Sequence, residues 1–255
     1  MPDGSHSRTT EPPPFGTEGE DRGSRWLVTC DHATNRVPGW VNCGDLGIAP
    51  EDMARHIAWD VGALGVARAL AARLDAPAVW SDFSRLVIDP NRGEDDPTLL
   101  MRLYDGTVIP ANRAADAAER DRRLDRLHRP YHAALGRLAA AHPARAICAI
   151  HSFTPRLQGR PPRPWVLGIL YSHRDERLGP ALVQACRDEG WVTGDNQPYS
   201  GHLQGDSVDR HALAHGRPNV LVEIRNDLIA DAAGQQAWAD RLAPVLERVL
   251  HGSGL

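Results

Sequence analysis

The sequence predicts an α/β fold in which helices cover both faces of a mixed, largely parallel sheet, giving a three-layer α/β/α domain. Two observations support this prediction. Short apolar runs alternate with helix-like segments along most of the 255 residues. The runs are apolar almost throughout, which is typical of strands that are buried on both faces of a sheet. Because such sheets bind ligands beyond the carboxyl ends of their strands, polar residues at those ends are candidates for a functional site.

The elements alternate along the chain. Strands are predicted at 25–31, 77–88, 146–150, 165–171 and 219–225, with a further short strand just before 194. Helices are predicted at 53–74, 114–141 with an interruption near Pro130, 175–190, 207–215 and 235–250. Long irregular segments in compact proteins are often functional. The two Pro-containing segments 93–113 and 154–164 are therefore expected to shape a binding pocket.

The first 24 residues differ in composition from the rest of the chain. Residues 1–24 are rich in Pro, Gly, Ser, Glu and Asp, and they contain a single aromatic side chain. Such a segment buries too little apolar surface to offset the entropy lost on ordering. We therefore expect 1–24 to be a disordered tail and 25–255 to form a single domain.

Composition excludes several classes of function. A formal net charge of −4 gives no electrostatic reason to expect nucleic acid or an anionic membrane as a partner. No window approaches the roughly 20 apolar residues of a membrane span, and the N-terminus lacks the order of a signal peptide, so a cytoplasmic location is expected. The sequence has no lysine, which excludes Schiff-base and Walker-lysine chemistry. The cysteines lack the CxxC spacing of zinc or redox motifs; they are Cys30, Cys43, Cys148 and Cys186.

Two histidines stand at the ends of predicted strands. His32 follows the strand 25–31, and His151 follows the strand 146–150. A catalytic zinc generally takes three protein ligands from His, Glu and Asp and keeps a fourth position for water. We therefore interpret both histidines as metal ligands, the alternative being buried histidines bound to backbone. His56 and Asp60 are four residues apart and are expected to share a helix face, which would suit Asp60 to hold a ligand from behind.

Two further histidines, His128 and His132, flank Pro130 in a helical segment. Their spacing of four would allow them to share a metal. The interruption expected at Pro130 favours a capping or packing role instead.

A glutamate and several arginines complete the candidate site. Glu223 lies in the strand 219–225 and is the candidate base for activating water, the alternative being a salt bridge with Arg225. Residues i and i+2 of a strand share a face, so both side chains are expected in one pocket. Arg85 and Arg92 flank a strand end, and together with Asn91 they would suit a substrate carboxylate, which a guanidinium binds through two hydrogen bonds.

Six motifs in this order resemble the N-formylglutamate amidohydrolase family. They are Cys-Asp-His-Ala-Thr-Asn-Arg-Val-Pro (30–38), His-Ile-Ala-Trp-Asp-Val-Gly-Ala (56–63), Ser-Arg-Leu-Val-Ile-Asp-Pro-Asn-Arg (84–92), His-Ser-Phe-Thr-Pro (151–155), Asp-Asn-Gln-Pro-Tyr (195–199) and Val-Glu-Ile-Arg-Asn-Asp-Leu (222–228). The resemblance covers residues 25–250. It implies a fold similar to the zinc-dependent exopeptidases and hydrolysis of a small acyl group, such as formyl, from the nitrogen of an acidic amino acid.

The resemblance also implies roles for individual residues. It places His32 and His151 on a zinc ion, Glu223 as general base and Arg85 near the developing oxyanion. It further places Asn91, with Arg92, on the substrate carboxylate.

The third metal ligand departs from the pattern of related enzymes. Related exopeptidases carry a glutamate three residues after the first histidine, whereas this chain has Asn35 there. Asp31 is the nearest replacement, with Asp60 in reserve. Another divalent metal could take the place of zinc in such a site. Tyr199 and His211 are further candidates for the pocket wall.

The alternatives left open are a related zinc amidase with a different N-acyl substrate and a metal-free ligand-binding protein. The oligomeric state is not visible in the sequence.

Overall fold

A mixed sheet of seven strands forms the centre of the structure, a computed structural model that describes residues 11–142 and 145–255. The strands in chain order are β1 Phe15–Glu18, β2 Trp26–Cys30, β3 Ala78–Ser81, β4 Leu103–Tyr104, β5 Thr107–Val108, β6 Ala146–Phe153, β7 Leu167–Leu170, β8 Thr193–Asp195 and β9 Asn219–Arg225. The order across the large sheet is β1-β3-β2-β6-β9-β7-β8, and β4 and β5 form a separate hairpin.

The middle of the sheet is parallel. Strands β3, β2, β6 and β9 pair in parallel, whereas β7 runs antiparallel to β9 and β1 antiparallel to β3. The central strands β6 and β9 are buried almost end to end, as their continuous apolar runs predict. Their register places His151 directly opposite Glu223.

Helices cover both faces of this sheet. They are α1 Pro50–Met53, α2 Ala63–Arg73, α3 Pro110–Arg113, α4 Ala117–Arg123, α5 Arg129–Ala140, α6 Gly179–Asp188, α7 Ser207–His211 and α8 Ala232–Gly252. Side chains of α2, α6 and α8 form one core with strand residues such as Val28 and Ile150. Side chains of α5 form the other core with the alternate strand residues, including Leu27 and Ile147. The predicted three-layer α/β/α architecture is therefore confirmed.

The segment expected to be a disordered tail contributes a strand, which corrects that prediction for its described part, 11–24. β1 pairs along the edge of β3 from Phe15, opposite Ser81, to Glu18, opposite Ala78. Ladder hydrogen bonds to an otherwise open edge add to the ordering of a segment with little apolar surface. Residues 1–10 of the expected tail lie outside the described residues.

The predicted helix 53–74 is correct only in its second half. The chain turns irregularly from Ala54 to Gly62, and α2 begins at Ala63. Gly62 has φ 80°, and a Cβ placed on it would lie 2.1 Å from the carbonyl oxygen of Ile229. Glycine therefore allows a left-handed turn here that ends any continuous helix. Asp60 consequently lies in a turn and does not share a helix face with His56.

The predicted strand 77–88 ends early, at Ser81. Leu86, Val87 and Ile88 are fully buried in the second core without pairing as a strand. The hydroxyl of Ser84 donates to the carbonyl of Ala58 at 2.8 Å, which is one of the contacts that supply partners for this irregular segment. An apolar run alone does not separate a strand from a buried turn.

The interruption expected near Pro130 takes the form of a π-helical turn, Leu124–His128, which joins α4 to α5. Pro130 follows this turn as the second residue of α5, so the regular α-helical hydrogen-bond pattern is already altered just before the residue that lacks an N–H. Among the residues that the structure describes, no helix combines the length and apolarity needed to cross a membrane.

Candidate active site

Two histidines and one aspartate meet at the carboxyl end of the parallel strands. Nδ1 of His151 lies 2.7 Å from Oδ2 of Asp60, and Nδ1 of His32 lies 3.3 Å from the same oxygen. All three residues are buried, and their ligand atoms lie within 4.8 Å of one another. Two imidazoles and a carboxylate form a donor set suited to zinc and similar divalent metals. We refer to these three residues as the metal group.

Each member of the metal group is fixed by the backbone around it. His32 lies two residues beyond the end of β2, and His151 lies near the end of the neighbouring β6. The N–H of Asp60 donates to the carbonyl of His32 at 2.9 Å, which ties the turn before α2 to the end of β2. The three donors therefore come from three separate segments that the sheet brings together.

A second pair of carboxylates holds the outer nitrogens of the histidines. Nε2 of His32 lies 2.7 Å from Oδ1 of Asp89, and Nε2 of His151 lies 3.2 Å from Oδ2 of Asp31. A carboxylate at Nε2 favours the tautomer with its proton on that nitrogen, which leaves the Nδ1 lone pair directed at the metal group. This is how histidine ligands of metals are commonly oriented.

Asp31 is itself held from behind. Its Oδ1 accepts hydrogen bonds of 2.6 Å from the hydroxyls of Tyr131 and Ser207. Burial alone would raise the pKa of Asp31, but its hydrogen bonds to His151 and Ser207 hold that pKa well below the usual range. Asp31 thus faces the nitrogen of His151 that points away from the metal group. The structure brings the reserve candidate, Asp60, into the group in place of Asp31.

The charges around the metal group favour a cation. Four buried carboxylates, those of Asp31, Asp60, Asp89 and Glu223, surround the histidines, and Arg85 is the buried guanidinium among them. Desolvation would raise the pKa of Asp60, yet the charges and hydrogen bonds of the two histidines lower it well below its ordinary value. A divalent cation bound to these histidines in place of their protons would compensate the same surrounding negative charge.

Glu223 lies beside the metal group on β9. Its side chain lines the same cavity as His32, Asp60 and His151. Burial raises the pKa of Glu223 to about 7, and its buried Oε2 has no hydrogen-bond partner among the residues that the structure describes. A carboxylate that titrates near neutral pH is suited to accept and return a proton.

A cavity of about 280 Å³ opens above these residues. Arg85, Asn91 and Arg92 line it, as the sequence leads one to expect. Two nitrogens of Arg85 donate to Oδ2 of Asp89, and its Nη1 lies 3.6 Å from Oδ1 of Asp60. Arg92 donates from Nη1 to the carbonyl of Asn91 at 2.7 Å. The cavity has the size of a small amino-acid derivative, and the guanidinium groups of Arg85 and Arg92 are part of its wall.

Tyr199, a candidate from the sequence, lines the cavity, as does Tyr104 from the segment 93–113 that was expected to shape the pocket. The further wall residues are Ser152, Leu170, Ser200, Gly201, His202, Leu203, Asp206, Val208 and Leu221. Burial raises the pKa of Asp206 to about 7. Asp206 also caps α7 by accepting from the N–H of Asp209 at 2.7 Å. The position of Asp206 directly before a short helix indicates a capping residue, and this can be read from the sequence. The local sequence does not indicate that Asp206 lines the cavity.

Three residues considered from the sequence lie outside this cavity. Arg225 donates to Asp227 at 2.8 Å and so does not share the pocket with Glu223. Nε2 of His56 lies 3.5 Å from Asp105, and His211 contacts His132 at 2.9 Å. Arg225 occupies the last position of β9, where the chain begins to turn, so the simple alternation of a strand does not apply to it.

The fold and the site define a class of α/β proteins in which a buried histidine–carboxylate group lies at the carboxyl edge of a mixed sheet, beneath a cavity with a glutamate and arginines. Comparison with known proteins narrows this class. A sequence profile of the N-formylglutamate amidohydrolase family matches residues 24–230, and the chain belongs to this family. The resemblance carried by the six motifs is thereby confirmed, and the family is one of hydrolases that act on an amide.

Solved structures share this fold. The Atu2144 gene product of Agrobacterium tumefaciens is 34% identical, with a TM-score of 0.89 over 96% of this chain and 97% of that chain. An N-formylglutamate amidohydrolase from Ralstonia eutropha is 21% identical, with a TM-score of 0.66 over 94% of this chain and 99% of that chain.

More distant similarity concerns the fold. A bacteriophage poly-gamma-glutamate hydrolase is 10% identical, with a TM-score of 0.50 over 96% of this chain and 93% of that chain. The architecture is thus consistent with the zinc-exopeptidase-like fold expected from the sequence. No curated protein sequence matches this chain significantly.

Proposed function

We propose that this protein is a metal-dependent amidohydrolase that removes a formyl or similarly small acyl group from the nitrogen of an acidic amino acid. Water and the N-acyl amino acid would give the free amino acid and a small carboxylic acid, such as formate. Family membership supports amide hydrolysis. One observation carries the rest: Glu223, whose buried Oε2 has no hydrogen-bond partner within the described part of the chain, lines one cavity with His32, Asp60 and His151.

The residues present fit a divalent metal ion, with zinc the first choice. His32 and His151 would bind it through Nδ1, and Asp60 through Oδ2, because these atoms converge while Asp89 and Asp31 hold the opposite nitrogens. When bound, such an ion supplies a Lewis acid that polarises the acyl carbonyl and lowers the pKa of a water.

Glu223 would perform the proton transfers. In its ionised form it takes a proton from the attacking water at Oε2, and it then returns that proton to the nitrogen of the leaving amino group. Burial raises the pKa of this carboxyl, which favours a role as both acceptor and donor of the proton. Arg85, buried between Asp89 and Asp60, would stabilise the negative charge that develops on the acyl oxygen.

The substrate carboxylate would bind to Arg92 and Asn91. Arg92 and Asn91 line the cavity next to one another, and Arg92 is less buried than Arg85 and has no carboxylate partner within the described residues. A guanidinium and an amide donor together recognise a carboxylate with defined orientation. Arg225 is not part of this proposal, since it pairs with Asp227. The cytoplasmic location remains a prediction.

The test combines metal analysis with a substrate panel. Protein purified without chelator is analysed for metal, and release of the free amino acid is followed with N-formyl-L-glutamate, N-acetyl-L-glutamate, N-succinyl-L-glutamate and N-formyl-L-leucine. We expect one divalent ion per chain and the highest kcat/KM for a formylated acidic amino acid. Full metal occupancy without turnover of any of these compounds would overturn the proposal. Preference for acetyl or succinyl would instead indicate a related amidase.

A further inference from the structure

Three buried histidines form a second cluster that the reaction itself does not use. His128, His132 and His211 have relative exposures of 0%, 5% and 7%. The ring centroids of His128 and His132 lie 4.3 Å apart, and those of His132 and His211 lie 5.1 Å apart. His132 Nδ1 and His211 Nε2 are separated by 2.9 Å. We call these three residues the histidine cluster.

Two members of the cluster reach backbone carbonyls in one short segment. Nε2 of His132 lies 3.0 Å from the carbonyl oxygen of Pro90, and Nε2 of His128 lies 3.0 Å from that of Arg92. A carbonyl oxygen only accepts, so both Nε2 atoms carry a proton and donate. In the neutral ring of His132, Nδ1 is then an acceptor, and His211 donates to it from Nε2. Burial lowers the pKa of all three histidines, which agrees with neutral rings.

The carbonyls that the cluster holds lie on either side of Asn91. Residues 89–92, which we call the clamp loop, carry Asn91 and Arg92 into the cavity and hold His32 through Asp89. The amide side chain of Asn91 also accepts from the N–H of Ser207 at 3.2 Å. The clamp loop lies outside the sheet, so its conformation depends on contacts of this kind.

The cluster is not a second metal site. Within the described residues, the histidine, cysteine and carboxylate ligand atoms that lie close enough together to share one metal ion are those of His32, Asp60 and His151. The cluster also lies outside the residues that line the cavity. Its polar atoms are instead directed at the clamp loop, whose buried carbonyls would lose a partner if a ring were removed.

We propose that His128 and His132 are positioning residues that fix the clamp loop through the carbonyls of Arg92 and Pro90, so that Asn91 and Arg92 are preorganised for the substrate carboxylate. This inference rests on the proposed function. The carboxylate is bound alike in the ground state and the transition state. Loosening the loop at Arg92, the end away from Asp89, therefore removes uniform binding, which raises KM and leaves kcat nearly unchanged.

His128 offers the cleanest test, because one hydrogen bond joins it to the clamp loop. His128→Leu removes the donor, whereas in His128→Gln the amide nitrogen takes the place of Nε2. We expect His128→Leu to raise KM for N-formyl-L-glutamate about tenfold, with kcat within about threefold of the wild type, and His128→Gln to restore KM to within about threefold, since one charge-free hydrogen bond typically contributes on this scale. His215→Leu, at an exposed position, serves as the control.

Each outcome decides a separate claim. If His128→Leu folds poorly, as judged by thermal unfolding, His128→Asn replaces it, since the shorter amide does not reach the carbonyl and the same rise in KM is expected. An unchanged KM in the folded variant, or a fall in kcat alone, would overturn the positioning role. Failure of His128→Gln to restore KM would also count against it. Absence of turnover in the metal-loaded wild type would instead overturn the proposed function, and this inference with it.

Discussion

Separate replacement of Asp60 and Asp31 by asparagine distinguishes a metal ligand from a residue that orients one. Oδ2 of Asp60 lies 2.7 Å and 3.3 Å from Nδ1 of His151 and His32, whereas Oδ2 of Asp31 lies 3.2 Å from Nε2 of His151. Both substitutions preserve side-chain size and remove one negative charge from the same buried region. A difference in metal affinity between them therefore reflects the position of the carboxylate.

The structure gives the expected magnitudes. In Asp31→Asn the amide oxygen can accept from His151, while the amide nitrogen donates to the hydroxyls of Tyr131 and Ser207, which are able to accept. The orientation of His151 is then largely kept, and the loss should be the 10- to 100-fold typical of such outer partners, or about 1.4–2.7 kcal/mol. Asp60→Asn replaces one of three ligands by a poor neutral one. Its loss should exceed about 1,000-fold, or about 4 kcal/mol.

The assay is a competition titration of metal-free protein with Zn²⁺ in the presence of a chromophoric chelator. Wild type and both variants are compared at one pH, and circular dichroism verifies that each is folded. The reasoning would be refuted if Asp60→Asn bound zinc nearly as the wild type does while Asp31→Asn lost it. That result would make Asp31 the ligand, as the sequence first suggests.

Three further outcomes follow from the structure. Arg92→Ala should raise KM for N-formyl-L-glutamate about 10- to 100-fold through loss of a charged hydrogen bond, whereas Arg225→Ala should change KM less than about twofold. Equal KM values for the two variants in steady-state kinetics would contradict this prediction. Burial lowers the pKa of His211 from 6.5 to about 4. Between pH 6.5 and 4 the unfolded state therefore binds a proton at His211 that the folded state does not bind. The free energy of unfolding should fall by up to about 3 kcal/mol over this range as the pH drops. Urea unfolding of metal-free protein should show this slope reduced in His211→Gln but kept in His251→Gln, at an exposed position that does not contribute to the lowered pKa of His211. Gly62→Ala should cost at least about 2 kcal/mol of unfolding free energy, because of its positive φ and the contact with Ile229, and near-wild-type stability would refute that contact.

The sequence predicted the features that depend on local pattern. β9 has the predicted bounds 219–225, because a short, mostly apolar run followed by polar residues has few alternatives in an α/β chain. Strand ends also meet at one edge of a parallel sheet, so His32, His151 and Glu223 lie together as expected.

The features that the sequence did not predict depend on contacts between distant segments. Asp60 enters the metal group because Gly62, packed against the carbonyl of Ile229, ends the expected helix and turns the chain. Asp31 is adjacent to His32 in sequence, yet its carboxylate faces His151. No local pattern distinguishes these two aspartates.

The same holds for the N-terminal strand and the histidine cluster. β1 is ordered by the free edge of β3, which is encoded about 60 residues later. His128 and His132 were considered for a shared metal or a packing role, and their actual partners are the carbonyls of Arg92 and Pro90. A sequence does not show which backbone carbonyl a side chain contacts, since every residue carries a carbonyl.

The most direct test of the central claim is the turnover of Glu223→Gln with metal content measured on the same sample. Because Glu223 would both take and return the proton, its removal should lower kcat for N-formyl-L-glutamate by about 10²- to 10⁴-fold, while the metal content stays at the wild-type level. A Glu223→Gln variant that binds the metal and keeps full turnover would contradict the account.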